Sequence, residues 1–232
     1  MRVKRYDEIP TLYREGTSDE RALVEVVEKK CYRRPSIGFD VEAGERWLDL
    51  GANIGAFAIY CRLRGATCES YEPDSKCFTL LKKNVRTESH NIAVTHLEDE
   101  FVEFWQGDDP KNFYRGGVIK RLKKMTAVGV TNRYVGQLGA CDGIKMDIEG
   151  AEFGILDNKL LPWCNKLVLE YHSSVEPSAS GLAKRLAYLK SLFDVVSYPA
   201  ELDRKMQAKD NTKTYFDRLI FCMGNKKPSP IH

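Results

Sequence analysis

The sequence predicts an α/β fold, a mainly parallel sheet with helices on both faces. Two observations predict it. From Arg46 onward, short apolar runs of strand length alternate with segments of helical periodicity. The first strand then enters a glycine-containing turn, Gly51 to Gly55, from which a helix leaves. The chain has 232 residues, enough for one sizeable domain or two small ones. With 43% hydrophobic and 30% charged residues it is neither a collagen, nor a coiled-coil rod, nor wholly disordered.

The elements follow in order. Thr17 to Lys30 reads as a helix, with Thr17 and Glu20 at capping-box spacing and Leu23, Val24, Val26 and Val27 as its apolar face. Pro35 and Gly38 break the chain, and Phe39 to Val41 reads as a short strand before a turn at Ala43-Gly44. Strands are expected at Arg46 to Leu50, Thr67 to Tyr71, Ile92 to Leu97, Gly143 to Met146, Lys166 to Tyr171, Val195 to Tyr198 and Tyr215 to Met223. Helices are expected at Ile54 to Arg64, Ser75 to Arg86, about Gly150 to Leu161, and along Leu182, Leu186, Leu189 and Phe193. Two polar segments interrupt the rhythm, Glu201 to Lys213 and the basic Gly107 to Met125. Loops of such length are often functional lids, although a basic run is ordinarily a solvated face. This divides the chain into an N-terminal helical extension (1–38), a core (39–225) and a tail (226–232).

The charge pattern narrows the function classes. A net charge of +3 is too small to argue for nucleic acid. No apolar run approaches the roughly 20 residues of a membrane span. Met1 to Pro10 is charged and lacks the apolar core of a signal peptide, so a cytoplasmic protein without a membrane partner is expected. The seven cysteines, Cys31, Cys61, Cys68, Cys77, Cys141, Cys164 and Cys222, form no C-x-x-C pair and read as reduced, mostly buried thiols.

The strongest local signal is Asp49-Leu50-Gly51-Ala52-Asn53-Ile54-Gly55. A helix leaving a glycine turn offers free N–H groups and a positive dipole end to an anion. Asn53 stands where a dinucleotide fingerprint has its middle glycine, and Asp49 would repel a pyrophosphate while attracting a cation. A ligand carrying ammonium, sulfonium and carboxylate fits better, namely S-adenosylmethionine. Glu72, in Tyr71-Glu72-Pro73, follows Asp49 by 23 residues, close to the offset of about 20 at which a carboxylate reaches ribose hydroxyls. The cofactor-binding set is therefore Asp49, Gly51, Ala52, Asn53, Gly55, Glu72 and Pro73; the ordinary structural roles are a helix cap for Asp49 and a turn residue for Glu72.

A second acidic group ends the later strands. Asp147 follows the strand at Gly143 to Met146, facing the reactive end of a ligand held by the first strand. Glu149 and Glu152 suit the start of the next helix electrostatically. Glu170 and His172 lie two apart on a strand and share a side.

These residues together resemble the FkbM family of S-adenosylmethionine-dependent methyltransferases. The likeness runs through Ala43-Gly44-Glu45, Leu48 to Gly55, Tyr71-Glu72-Pro73 with Asn84-Val85, Ile144 to Glu152 and Glu170-Tyr171-His172, across roughly 39 to 172. It implies a Rossmann-like class I methyltransferase fold, a seven-stranded sheet with its last strand antiparallel. It also implies O-methylation of a sugar hydroxyl in a glycan or glycoconjugate, with glycosyltransferases as associated or fused partners.

On that reading, catalysis falls to Asp147, His172 and Glu170. His172 is the natural base by its ordinary pKa, and Asp147 is the base or its orienting group. Trp105, Tyr114 and Arg115 are candidates to hold the sugar. No metal is expected; the alternative is a divalent cation on Asp147, Glu170 and His172. The rivals are a nicotinamide dehydrogenase, a nucleic-acid or other small-molecule methyltransferase, and a cofactor-binding module without turnover. Nucleic acid is not favoured, because no N-P-P-Y or D-P-P-Y turn follows Met146.

Overall fold

The computed structural model describes residues 1–107, 117–118, 125–172, 178–200, 202 and 217–225. Its strands are β1 (Arg2–Tyr6), β2 (Ile9–Tyr13), β3 (Arg46–Leu50), β4 (Thr67–Tyr71), β5 (Ser89–His90), β6 (Ala93–Thr95), β7 (Phe101–Gly107), β8 (Met125–Tyr134), β9 (Cys141–Met146), β10 (Cys164–His172), β11 (Phe193–Ser197) and β12 (Asp217–Asn225). Its helices are α1 (Asp19–Leu23), which continues as a π-helical turn over Val24–Glu28, then α2 (Ala56–Leu63), α3 (Ser75–Asn84), α4 (Glu152–Asp157) and α5 (Ala179–Leu192).

Seven strands form the main sheet in the order β11-β12-β10-β9-β3-β4-β5. β12 runs antiparallel to both neighbours, and the pairs from β10 through β5 are parallel. This is the class I methyltransferase sheet. β3 leads to β4 on one side while β9 leads to β10 on the other, so the chain order reverses between β3 and β9. In such sheets the crevice beyond the carboxyl ends of the two central strands is where ligands bind.

Alternation along the strands builds a core on each face. Trp47 and Val168 join one cluster with Phe57, Phe39 and Leu23, whereas Leu48, Leu50, Leu167 and Leu169 join the other with Ile144, Met146 and Leu186. All seven cysteines are free thiols, six buried and Cys31 partly so. Among the described residues no helix is long and apolar enough to cross a membrane.

Four local expectations are corrected. The edge strand is the two-residue β5, not Ile92 to Leu97. Asn91 donates to the carbonyls of Glu72 and Pro73 at 2.8 and 3.0 Å, and the chain then leaves the sheet so that β6 pairs with β8. β7 and β8 form an antiparallel hairpin, so the polar segment from Gly107 springs from a three-stranded sheet. Phe39 makes only a single bridge to Arg34. The N-terminal extension opens with the β1–β2 hairpin, and Thr17 Oγ1 accepts from the Asp19 N–H at 3.2 Å in place of a capping box.

The extension shares the core of the main sheet, with Ile9, Val26 and Val27 packed in the Trp47 cluster. Asn84 fastens it. This buried side chain accepts from the Leu12 N–H at 2.7 Å and donates to the carbonyls of Leu12 and Ile54 at 3.0 and 2.9 Å. Asn84→Ala strands three backbone groups at once and should cost on the order of 2–4 kcal/mol in urea unfolding; a loss under about 0.5 kcal/mol would contradict this role.

Candidate active site

The turn after β3 is built from left-handed residues. Gly51, Asn53 and Gly55 have φ of 83°, 51° and 93°. A Cβ on Gly51 would lie 1.8 Å from the Asp147 carbonyl oxygen, so glycine is obligatory for sterics as well as conformation. Asn53 tolerates its φ and accepts the Ile54 N–H through its own Oδ1 at 2.8 Å. The N–H groups of Gly51 and Ala52 both donate to the Tyr71 carbonyl, at 3.0 and 2.9 Å, which moors the turn to β4.

Glu72 lies just beyond β4 and is 7% exposed. It accepts the Asn53 N–H and the Asp74 N–H, each at 2.7 Å. Burial pushes its carboxyl up to about 7, although those two N–H groups pull the other way. Pro73 follows, and Asp74 caps α3 by accepting from Lys76 and Cys77.

Asp49 is fully buried, and its ion partner is Lys145 Nζ at 3.1 Å. The register of β3 and β9 makes the two residues direct neighbours. Lys145 also donates to the Gly51 carbonyl at 2.7 Å and lies 3.8 Å from Asp147. Burial disfavours both charges; the pair favours both, and for Lys145 it prevails, raising its pKa. Asp49 therefore faces inward beside Lys145; burial prevails over that ammonium and raises the Asp49 pKa, and among the described residues neither carboxylate oxygen has a hydrogen-bond partner.

Asp147, Glu170 and His172 meet at the ends of β9 and β10, with one ligand-type atom from each inside a 4.8 Å circle. His172 is 2% exposed. Its Nδ1 faces Glu152 Oε1 at 2.9 Å, and its Nε2 faces Asp147 and Glu149 at 3.5 and 3.4 Å. Burial opposes a charged ring, but Glu152, with Asp147 and Glu170 beyond, raises the pKa to about 9, above the ordinary value on which the reading of His172 as base rests. Glu152 is itself wholly buried and accepts the Gly150 N–H at 2.7 Å, so it braces the ring from within the fold.

The structure thus places Gly51, Ala52 and Asn53 after β3, Glu72 and Pro73 after β4, and Asp147, Glu170 and His172 at the ends of β9 and β10, all at the carboxyl ends of neighbouring strands, whereas Gly55 packs against Leu81 and Val85 of α3 and its flank and Asp49 is buried within β3. Trp105 on β7 pairs with Gly117, on which a Cβ would lie 2.9 Å from the Glu149 carbonyl, so this arm reaches the site's rim. Tyr114 and Arg115 lie outside the described residues. Sequence reasoning missed two participants. Lys145 was legible as a lysine between Ile144 and Met146 in a buried strand, a position that demands a partner. Tyr32 carried no local signal. It is buried edge-on against Phe57, its hydroxyl lies 3.5 Å from Asp147 Oδ2, and Lys145 Nζ is 5.7 Å from its ring centre.

The sheet order, the turn and the strand-end acids define a class I methyltransferase. The family model of the methyltransferase FkbM domain matches residues 49–196, more than half the chain. The chain belongs to that family and is an S-adenosylmethionine-dependent methyltransferase. No curated protein matches it. Among solved structures, TYW2 of P. horikoshii in complex with MeSAdo is similar at TM-score 0.46 and 11% identity, covering 97% of this chain and 71% of that one. TYW2 of M. jannaschii in complex with AdoMet gives 0.45 and 12%, covering 97% and 86%. A precorrin-6y C5,15-methyltransferase of Geobacter metallireducens gives 0.44 and 11%, covering 94% and 95%.

The residues present fit the cofactor. The two N–H bonds to Glu72 leave carboxylate lone pairs to accept hydroxyls, and one of those bonds, from the Asn53 N–H, holds Glu72 against the glycine turn. Gly51→Ala should destabilise by upward of about 3 kcal/mol. Gly44→Ala, at φ 84° with nothing within 4 Å, should cost only about 1 kcal/mol. Equal losses for the two in chemical denaturation would contradict the close approach of Asp147.

Proposed function

We propose that this methyltransferase transfers its methyl group to a hydroxyl oxygen of a sugar in a glycan or glycoconjugate. The observation that carries this reading is the chemistry of the crevice rim. Asp147, Glu149 and Glu170 gather there around His172. Carboxylates of this kind accept hydrogen bonds from a polyhydroxyl acceptor and repel the phosphates of a nucleic acid. Glycosyltransferases, as suppliers of the acceptor, are the matching partners.

When bound, the cofactor supplies an electrophilic methyl group on a sulfonium. Glu72 accepts hydrogen bonds from its ribose, and the Gly51–Gly55 turn fixes its position. Asp147 is the proton acceptor. Its side chain is 23% exposed, whereas the His172 ring is 3% exposed with both nitrogens turned toward carboxylates. His172 and Glu152 position Asp147; Tyr32 and Lys145 hold it from the other side. Asp147 would take the proton of the acceptor hydroxyl as that oxygen accepts the methyl group that the bound cofactor would supply, its sulfur leaving as a neutral thioether. Much of the rate comes from the in-line alignment of oxygen, carbon and sulfur.

Asp147→Ala should keep affinity for S-adenosylhomocysteine and lose roughly 10²–10⁴-fold in turnover. The assay uses labelled S-adenosylmethionine with a panel of glycosides, read by mass spectrometry. Wild-type turnover in the variant would remove Asp147 from the mechanism, and methylation of RNA in place of every glycoside would overturn the acceptor class.

The pH dependence follows from Glu72. Its carboxyl titrates at about 7, so the ribose acceptor is lost as pH falls below that value. S-Adenosylhomocysteine affinity measured by calorimetry should weaken toward tenfold per pH unit below about 7. A flat affinity between pH 6 and 8 would contradict Glu72 as the ribose ligand.

A further inference from the structure

Asp147, Glu170 and His172 are placed by rigid elements. Asp147 is the first residue after β9, and the register pairs Met146 with Leu169, so Asp147 and Glu170 extend side by side. Glu170 and His172 share one face of β10, which is paired on both sides by β9 and β12. Their ligand-type atoms lie within 4.8 Å of one another. Ligands around one small divalent ion, at about 2.1–2.3 Å each, stand roughly 3–4.5 Å apart, so little closure is needed.

The imidazole is oriented as a ligand. Glu152, wholly buried, holds Nδ1 at 2.9 Å and also accepts the His172 backbone N–H at 3.3 Å. That fixes the ring from behind and turns Nε2 toward the carboxylates. A carboxylate behind the far nitrogen is the usual support of a metal-bound histidine. The other His–carboxylate group, Glu69, Glu88 and His90, differs. Its Glu88 side chain is 69% exposed, and among the described residues no buried carboxylate braces His90 from behind as Glu152 braces His172.

We propose that Asp147, Glu170 and His172 bind one divalent cation, with manganese the best match to one imidazole and two carboxylates. This deepens the proposed function without depending on the acceptor's identity. A cation held there would ease loss of the proton from an acceptor hydroxyl beside it. Asp147 turns Oδ1 toward His172 and Oδ2 toward Tyr32, so coordination through one oxygen leaves the other to take that proton.

The test is manganese binding to the chelator-stripped full chain, read from loss of the free-ion signal in electron paramagnetic resonance. One equivalent should bind, and Glu170→Gln should weaken it at least about tenfold while S-adenosylhomocysteine binding persists. Glu88→Gln, in the other cluster, should leave it unchanged. Because His172→Ala removes a buried ring, the isosteric Glu170→Gln and Asp147→Asn carry the decision. No binding up to millimolar manganese, or equal affinity in Glu170→Gln and the parent, overturns the site. Glycoside methylation by stripped protein that binds no manganese overturns the cation and leaves the proposed function standing. Stoichiometric manganese on a chain that methylates no glycoside supports the cation and removes the acceptor class.

Discussion

The site depends on one buried ion pair, Asp49 with Lys145. The two sit side by side on the central strands at the point where chain order reverses, 3.1 Å apart and out of contact with water. A buried pair of this kind is a poor source of net stability, because desolvation consumes most of the attraction. Its value here is positional. Lys145 ties the Gly51 carbonyl to β9 and lies 3.8 Å from Asp147, so a single ammonium links the glycine turn to Asp147.

From that centre the acids divide into two kinds. Asp49 and Glu152 are wholly buried and organise their neighbours, one through Lys145 and the other through His172. Glu72, Asp147 and Glu170 border the crevice. The sequence reading gives Asp49 the task of attracting a cationic ligand; in the structure it is wholly buried beside Lys145, 3.1 Å away. Tyr32 closes the arrangement from the N-terminal extension, which is why residues preceding the family match at 49–196 belong to the site.

Legibility in the sequence followed the range of the interactions. β3 and β4 were readable to the residue, because a buried parallel strand is a short apolar run between turn signals. The glycine turn was readable because left-handed backbone leaves its mark in Gly and Asn. β7 and β8 were not, since they pair with each other across a polar insertion and β7 buries only Val102 and Phe104. The same held for β6, whose partner is 39 residues away in the chain, as in Ala93 with Asn132. Within the candidate site, the residues adjacent to strand ends carry a local signal, while Tyr32 does not, because its link to Asp147 is spatial. Lys145 lay in plain view inside the motif, and the charge it must compensate lies 96 residues earlier, at Asp49.

The central claim is that Asp49 and Lys145 act as one unit. A double-mutant cycle of Asp49→Asn and Lys145→Met, measured as unfolding free energy alongside S-adenosylhomocysteine affinity, tests it most directly. The account predicts that each single change costs about 3–5 kcal/mol, and that the double variant recovers at least about 2 kcal/mol of the summed loss. Strictly additive effects would show that the two side chains stabilise the fold separately, and the account would be wrong.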